Sequence, residues 1–116
     1  MSQHHSINYL EIPVRDLIAT KAFFTQVFGW QFQDYGPQYS CFLQVGIDGG
    51  FYQADSQFTL ANGSPLIVLY SQDLAATEAK IIQAGGLITK AVFSFPGGRR
   101  FHFTDVNGNE YAVWSE

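Results

Sequence analysis

The sequence predicts an α+β fold built from two tandem βαβββ modules, and two observations lead there. The stretch LEIPVRDLIATKAFFTQVFGW, starting at Leu10, reads as strand, turn, helix and glycine stop, and LIVLYSQDLAATEAKIIQAGG, starting at Leu66, repeats it. At a constant offset of 57 residues, Asp16, Leu17, Ala19, Thr20, Ala22, Gln26 and Gly29 fall on identical residues of the second stretch, seven matches in fourteen positions without a gap. The second observation is that each helical pattern leads into three short apolar stretches, punctuated by Gly and Pro turns. A chain of 116 residues carrying one unit twice is expected to be a single domain (1–116), with modules over 7–55 and 65–115 and a linker over 56–64.

The elements can be taken in chain order. Residues 6–14 alternate, with Leu10, Ile12 and Val14 on one side and Tyr9 and Glu11 on the other. Pro13 lacks a ladder donor and places this strand at an edge or an end. Asp16 is a natural cap for a helix over 17–28, whose buried stripe is expected from Ala19, Ala22, Phe23, Phe24 and Val27. Gly29 stops that helix. Strands are expected over 31–35, 39–45 and 50–53, separated by turns at Gly36-Pro37 and Gly46 to Gly49. After a polar linker the order returns: a strand over 65–71, a helix over 74–84 capped by Asp73, and strands over 87–93, 99–104 and 109–114. One module covers one sheet face with its helix, so its remaining faces call for a second unit.

Composition narrows the function classes. With 47% hydrophobic and 16% aromatic residues the chain can bury a core without disulfide or metal staples. Charged residues make up only 14%, below the usual quarter, which leaves a lightly charged surface suited to cover by a partner. A net charge of −4, with Arg99-Arg100 the only basic pair, argues against nucleic acid. A single cysteine, Cys41, excludes an internal disulfide and fits a reducing, cytoplasmic setting. The N-terminal MSQHHSINYLEI has no signal-peptide pattern, and no apolar run reaches membrane-spanning length, so no membrane partner is expected.

Two motifs carry a resemblance: IPVRDL followed by FF and VFGW in the first half, and FTDVNGNEYAVW near the end. Over nearly its whole length the chain resembles the vicinal oxygen chelate superfamily, which includes glyoxalases, extradiol dioxygenases and bleomycin-resistance proteins. In that family the last motif usually reads F-x-D-P-D-G-N; here Val106 replaces the proline and Asn107 the second aspartate. The resemblance implies sheets that curl into a cleft, and a homodimer, often with clefts built from modules of two chains. In many members the cleft holds a divalent metal through His or Glu on the first and last strand of each module, and the metal acts as a Lewis acid. Carried over one by one, those ligand positions are Tyr9, Gly50, Leu66 and Ala112. Three have no donor side chain, and a lone tyrosine is a poor ligand for a divalent ion. The expectation is therefore no metal and no other cofactor. A displaced metal site using Glu11, His102 and Glu110 is the alternative by residue type.

Alternation places Tyr9, Glu11, Tyr52, Tyr70, Arg100, His102, Glu110 and Trp114 on the implied cleft face. Tyr9, Glu11, Tyr52, Tyr70, Arg100, His102 and Trp114 are the candidate ligand-binding residues, with Arg100 suited to an anionic group. His102, Glu110 and Glu11 are the candidate catalytic acids and bases. The competing reading is that Glu11, Arg100 and Glu110 compensate one another and His102 is a satisfied structural histidine. Three functions stay open. One is a metal-independent protein that binds a small polar or aromatic molecule, as the bleomycin-binding proteins bind a cationic drug. Another is a lyase or isomerase of glyoxalase type with a rearranged site. The third is a non-catalytic interaction module.

Overall fold

The computed structural model describes residues 3–116. Met1 and Ser2, the first two residues of the N-terminal stretch that lacks a signal-peptide pattern, lie outside the described residues. The first module comprises β1 (Tyr9–Val14), α1 (Leu17–Phe28), β2 (Gln31–Asp34), β3 (Tyr39–Leu43) and β4 (Asp48–Gln53). The second comprises β5 (Ile67–Tyr70), α2 (Leu74–Gln83), β6 (Leu87–Phe95), β7 (Gly98–Thr104) and β8 (Glu110–Ser115). Each module forms its own mixed four-stranded sheet, with orders β1-β4-β3-β2 and β5-β8-β7-β6. In both, the first strand runs parallel to the last and the other pairs are antiparallel. The sequence repeat is thus a repeat of topology.

Local chemistry sets the helix ends. Asp16 accepts the Ala19 N–H at 3.0 Å and Asp73 accepts the Ala76 N–H at 3.1 Å, each satisfying an orphan donor of the first turn. Gly29 takes a left-handed φ of 73°, which lets the Trp30 N–H return to the Phe24 carbonyl at 3.3 Å. The buried stripe of α1 is Leu17, Thr20, Phe23, Phe24 and Val27. Ala22, expected on that stripe, is exposed and Ala19 is half-buried. Leu17, Thr20, Phe24 and Val27 recur at helical spacing, and Ala22 falls well off that line. Thr20 takes the buried place because its hydroxyl donates to the Asp16 carbonyl at 2.6 Å and accepts from Asn107 Nδ2 at 2.8 Å.

Phe24 is the centre of the core. Its ring lies 5.3 Å from that of Phe51 on β4 and 5.4 Å from that of Tyr111 on β8, so α1 touches both sheets. Phe23 reaches Phe103 of β7 at 6.2 Å. One side of each sheet, including Ile12, Val14, Phe101 and Val113, joins this single core. The other side of each sheet is turned away from it. Burial breaks the symmetry of the repeat: where α1 has Phe23, α2 has Lys80, which is exposed. The segment between the modules is tied down as well. Phe58 is buried, its N–H donates to Asn109 Oδ1 at 2.8 Å, and its carbonyl accepts the Glu110 N–H at 2.7 Å.

Two strand limits differ from expectation and matter for the site. β4 begins at Asp48, because Asp48 and Gly49 already pair with Tyr9 and Leu10. β6 continues to Phe95, because Phe95 pairs with Gly98 and Phe93 with Arg100 across the turn. Register shifts around Lys90 bend this strand. Among the described residues no helix is long and apolar enough to cross a membrane.

Candidate functional site

The open face of the first sheet is phenolic. β1 contributes Tyr9 and Glu11, β3 contributes Tyr39 and Cys41, and β4 contributes Gly50 and Tyr52, aligned by Glu11–Gly50, Cys41–Gly50 and Tyr39–Tyr52 pairing. Tyr39 donates to Glu11 Oε2 at 3.0 Å. The Tyr9 and Tyr39 hydroxyl oxygens share a hydrogen bond at 2.5 Å. Cys41 Sγ lies 3.4 Å from the Tyr9 oxygen. Burial, together with the bonds to Tyr9 and Glu11, keeps the Tyr39 hydroxyl protonated well above the ordinary phenol range. The contact with Cys41 raises Tyr9 as well, against a lowering by Tyr39.

The positions that hold metal in the family do not fit one here. A Cβ on Gly50 would stand 2.7 Å from the Ser40 carbonyl and 2.8 Å from the Tyr39 hydroxyl, so Tyr39 fills the space a ligand side chain would need. The Tyr9 oxygen is committed to the phenol chain. Ala112 is fully buried between its pairing partners Val68 and His102, and Leu66 is a half-buried aliphatic. The displaced set is divided as well: Glu11 lies on the first sheet, His102 and Glu110 on the second. Among the described residues no three His, Cys, Asp or Glu side chains gather in a metal-holding group.

The open face of the second sheet is aromatic and ionisable. The Arg100 guanidinium lies 5.3 Å from the Phe93 ring centre and 5.5 Å from that of Phe95, and Lys90 Nζ lies 4.6 Å from that of Phe93. Trp114 packs against Tyr70 at 5.1 Å and Phe95 at 6.3 Å. A shallow pocket of about 240 Å³ is lined by Val68, Phe95, Arg100 and Trp114. His102 is 6% exposed, with Phe93 5.9 Å from its ring and Nδ1 3.7 Å from Glu110 Oε2. That separation is within ion-pair range and long for a hydrogen bond. Burial first, then the charge of Arg100, lowers the His102 pKa below its ordinary value against the opposing pull of Glu110. The imidazole is therefore neutral at neutral pH. Glu110 is fixed by the Leu60 N–H at 3.0 Å, and the Tyr70 hydroxyl donates to Glu116 at 2.9 Å. Arg100 Nε and His102 Nε2 are buried with no hydrogen-bond partner.

Several larger hollows lie elsewhere. One of about 510 Å³ is polar and lined by residues such as Gln3, Ser6, Gln44 and Asp48; another, about 470 Å³, is largely apolar and lies between β1 and β5. Neither gathers a convergent set of ionisable groups, and in a third, of about 380 Å³, Arg15 is already paired with Asp55 at 3.2 Å, so the smaller pocket beside Arg100 is the better chemical candidate.

Of the residues expected on one cleft, the structure brings together Tyr70, Arg100, His102, Glu110 and Trp114 on the second sheet. Tyr9, Glu11 and Tyr52 sit together on the first. Within one chain the groups occupy separate faces, each turned away from the shared core. Sequence reasoning missed Tyr39, Lys90, Phe93 and Phe95. For the two phenylalanines a signal existed: counting outward from the Pro96-Gly97 turn pairs Phe95 with Gly98 and Phe93 with Arg100.

Topology and face chemistry together define a tandem βαβββ protein with an aromatic, ionisable surface on each sheet. The chain belongs to the Glyoxalase/Bleomycin resistance protein/Dioxygenase superfamily, whose family model matches residues 6–113. Its fold is similar to that of a glyoxalase-related enzyme from Fulvimarina pelagi (TM-score 0.80, 17% identity, 97% of this chain and 88% of that one). It is also similar to the fosfomycin resistance protein FosX from Listeria monocytogenes (TM-score 0.79, 18% identity, 98% and 95% covered). A third similar structure is lactoylglutathione lyase from Agrobacterium tumefaciens (TM-score 0.72, 16% identity, 98% and 96% covered). At these identities the likeness is one of fold. No curated protein matches the chain.

Proposed function

We propose that this protein is a small-molecule-binding member of the superfamily that works without the family's usual metal, with its ligand on the open face of the second sheet. The observation that carries the reading is a pair of buried polar atoms without partners on an aromatic face, the Arg100 Nε donor and the His102 Nε2. Leaving such groups unmatched costs roughly 1–3 kcal/mol each, which a polar ligand would offset. The absence of donor side chains at Gly50, Leu66 and Ala112 supports independence from metal.

A homodimer is part of this reading. Tyr9 and Tyr52 on the first sheet are 46% and 36% exposed, and Val68 and Tyr70 on the second are 41% and 48% exposed. Ring-lined open faces of this kind suit cover by a second copy, the first-sheet face of one chain closing over the second-sheet face of the other. The single cysteine supports a cytoplasmic setting.

A second reading, a lyase or isomerase, is favoured by one specific feature. His102 is neutral and its Nδ1 faces Glu110, the arrangement of an oriented general base. Calorimetric titration with nickel, zinc and manganese, followed by an organic panel in EDTA, tests the main proposal. The expected result is no stoichiometric metal and an organic ligand that binds in chelator. One tight metal per chain would contradict it. Turnover of a panel compound, lost in His102→Ala, would establish the lyase or isomerase reading.

A further inference from the structure

Resting on the ligand-binding reading above, we infer the chemical class of the ligand: a planar aromatic carboxylate, its carboxylate on Arg100 and its ring against the wall formed by Trp114 and Phe95.

The guanidinium is the starting point. Its carbon lies over the rings of Phe93 and Phe95, 5.3 and 5.5 Å from their centres, and its Nε is buried without an acceptor. Among the described residues no carboxylate comes within ion-pair distance of Arg100 or Lys90. The acids of this face are engaged elsewhere: Glu110 by the Leu60 N–H and His102, Glu116 by the Tyr70 hydroxyl. Two cations without acidic partners, one presenting a buried N–H, call for an external anion. A guanidinium matches a carboxylate with two parallel N–H···O bonds, a geometry a lone ammonium cannot offer.

The walls specify the rest of the molecule. The pocket of about 240 Å³ has Arg100 at one side and Val68, Phe95 and Trp114 around it. Its volume lies below the usual drug-sized range, so it suits a body of one or two rings. The Trp114 and Phe95 rings, 6.3 Å apart and tilted by 60°, form an angled aromatic wall that favours face and edge contact with such a body. Lys90 adds a second positive charge 4.6 Å from the Phe93 ring and strengthens the field for an anion.

The test uses three probes of one shape: 2-naphthoate, 2-naphthamide and 2-naphthylmethylammonium. Binding is followed by calorimetry and by Trp114 fluorescence on the purified full chain, with Trp114→Phe as the optical control. The inference expects naphthoate to bind most tightly and the ammonium probe least. Arg100→Gln should weaken naphthoate roughly tenfold to a hundredfold, the worth of a charge-assisted hydrogen bond. Phe95→Ala should weaken naphthoate and naphthamide alike, and circular dichroism of both variants should match the parent.

Equal or tighter binding of the amide or the ammonium probe at Trp114 would overturn the charge assignment while leaving the ligand-binding reading standing. Binding of no probe and no panel compound would remove both. Dimer dissociation in Arg100→Gln with naphthoate affinity unchanged would assign the guanidinium to a subunit contact and overturn the inference.

Discussion

Asn107, in the last turn of the second module, accepts the backbone N–H of Asp16, the helix cap of the first, at 3.0 Å. The same oxygen accepts the Arg15 N–H at 3.0 Å, while Nδ2 donates to Thr20 at 2.8 Å and to Asp105 Oδ2 at 3.2 Å. One side chain thereby links the modules and uses both ends of its amide. This also accounts for the amide where the family usually has aspartate: a second carboxylate would face Asp105 and could not donate to it. Asn107→Ala should cost about 2–4 kcal/mol by leaving two backbone N–H groups and Asp105 Oδ2 without a partner. Asn107→Asp should also destabilise at pH 7 and recover on acidification. Urea unfolding at pH 7 and pH 5 checks both variants.

Asp105 makes stability depend on pH. Burial raises its pKa from 3.8 to about 6, against the lowering effect of the Asn107 and Asn109 N–H groups. The folded pKa lies above the unfolded one, so the native state holds more protons between about 4 and 6. Stability from this group is accordingly greatest below about pH 4 and falls as pH rises to about 6. His102 works in the opposite sense, because its lowered pKa removes stability as pH falls below its ordinary value. The difference in unfolding free energy between parent and Asp105→Asn isolates the Asp105 part. The parent should lose on the order of 2 kcal/mol relative to the variant between pH 4 and 7; a flat difference would refute the assignment.

The charge environment of His102 can be read directly by an NMR titration of its ring. The positive charge of Arg100 lowers its pKa and Glu110 raises it. Arg100→Gln should move the midpoint up and Glu110→Gln should move it down. Equal midpoints in all three proteins would mean that burial alone sets the value.

Gly50 is packed too closely to accept a side chain. Gly50→Ala places a methyl 2.7 Å from the Ser40 carbonyl, which is backbone and cannot swing aside. The substitution should cost about 1–3 kcal/mol, measured by thermal or urea unfolding. Tyr39→Phe in the Gly50→Ala background should restore little, because the Ser40 contact stays. Full recovery would show that the phenol oxygen alone fills the space.

Much of the fold was legible because it rests on local chemistry repeated twice. Asp16 and Asp73 cap helices, Gly29 stops one, and the alternation in β7 sends Phe101 and Phe103 inward and Arg100 and His102 outward. The packing of one module on the other was not legible, because it depends on Phe24 meeting Phe51 and Tyr111 at once. No periodicity along one element encodes such a contact. It follows that Glu11 and His102, which share a face under the one-cleft expectation, occupy separate sheets. Tyr39 was missed for a related reason. Its role depends on its register against Gly50 and Tyr52, which pairing decides and residue type does not.

The most direct test of a metal-independent ligand site on the second sheet is a two-dimensional amide NMR titration with 2-naphthoate in excess EDTA. The account predicts shifts concentrated on the Val68, Arg100, His102 and Trp114 amides, with an affinity that added zinc or nickel does not raise. Shifts confined to the first sheet or to the groove between β1 and β5, or binding that needs added metal, would contradict it.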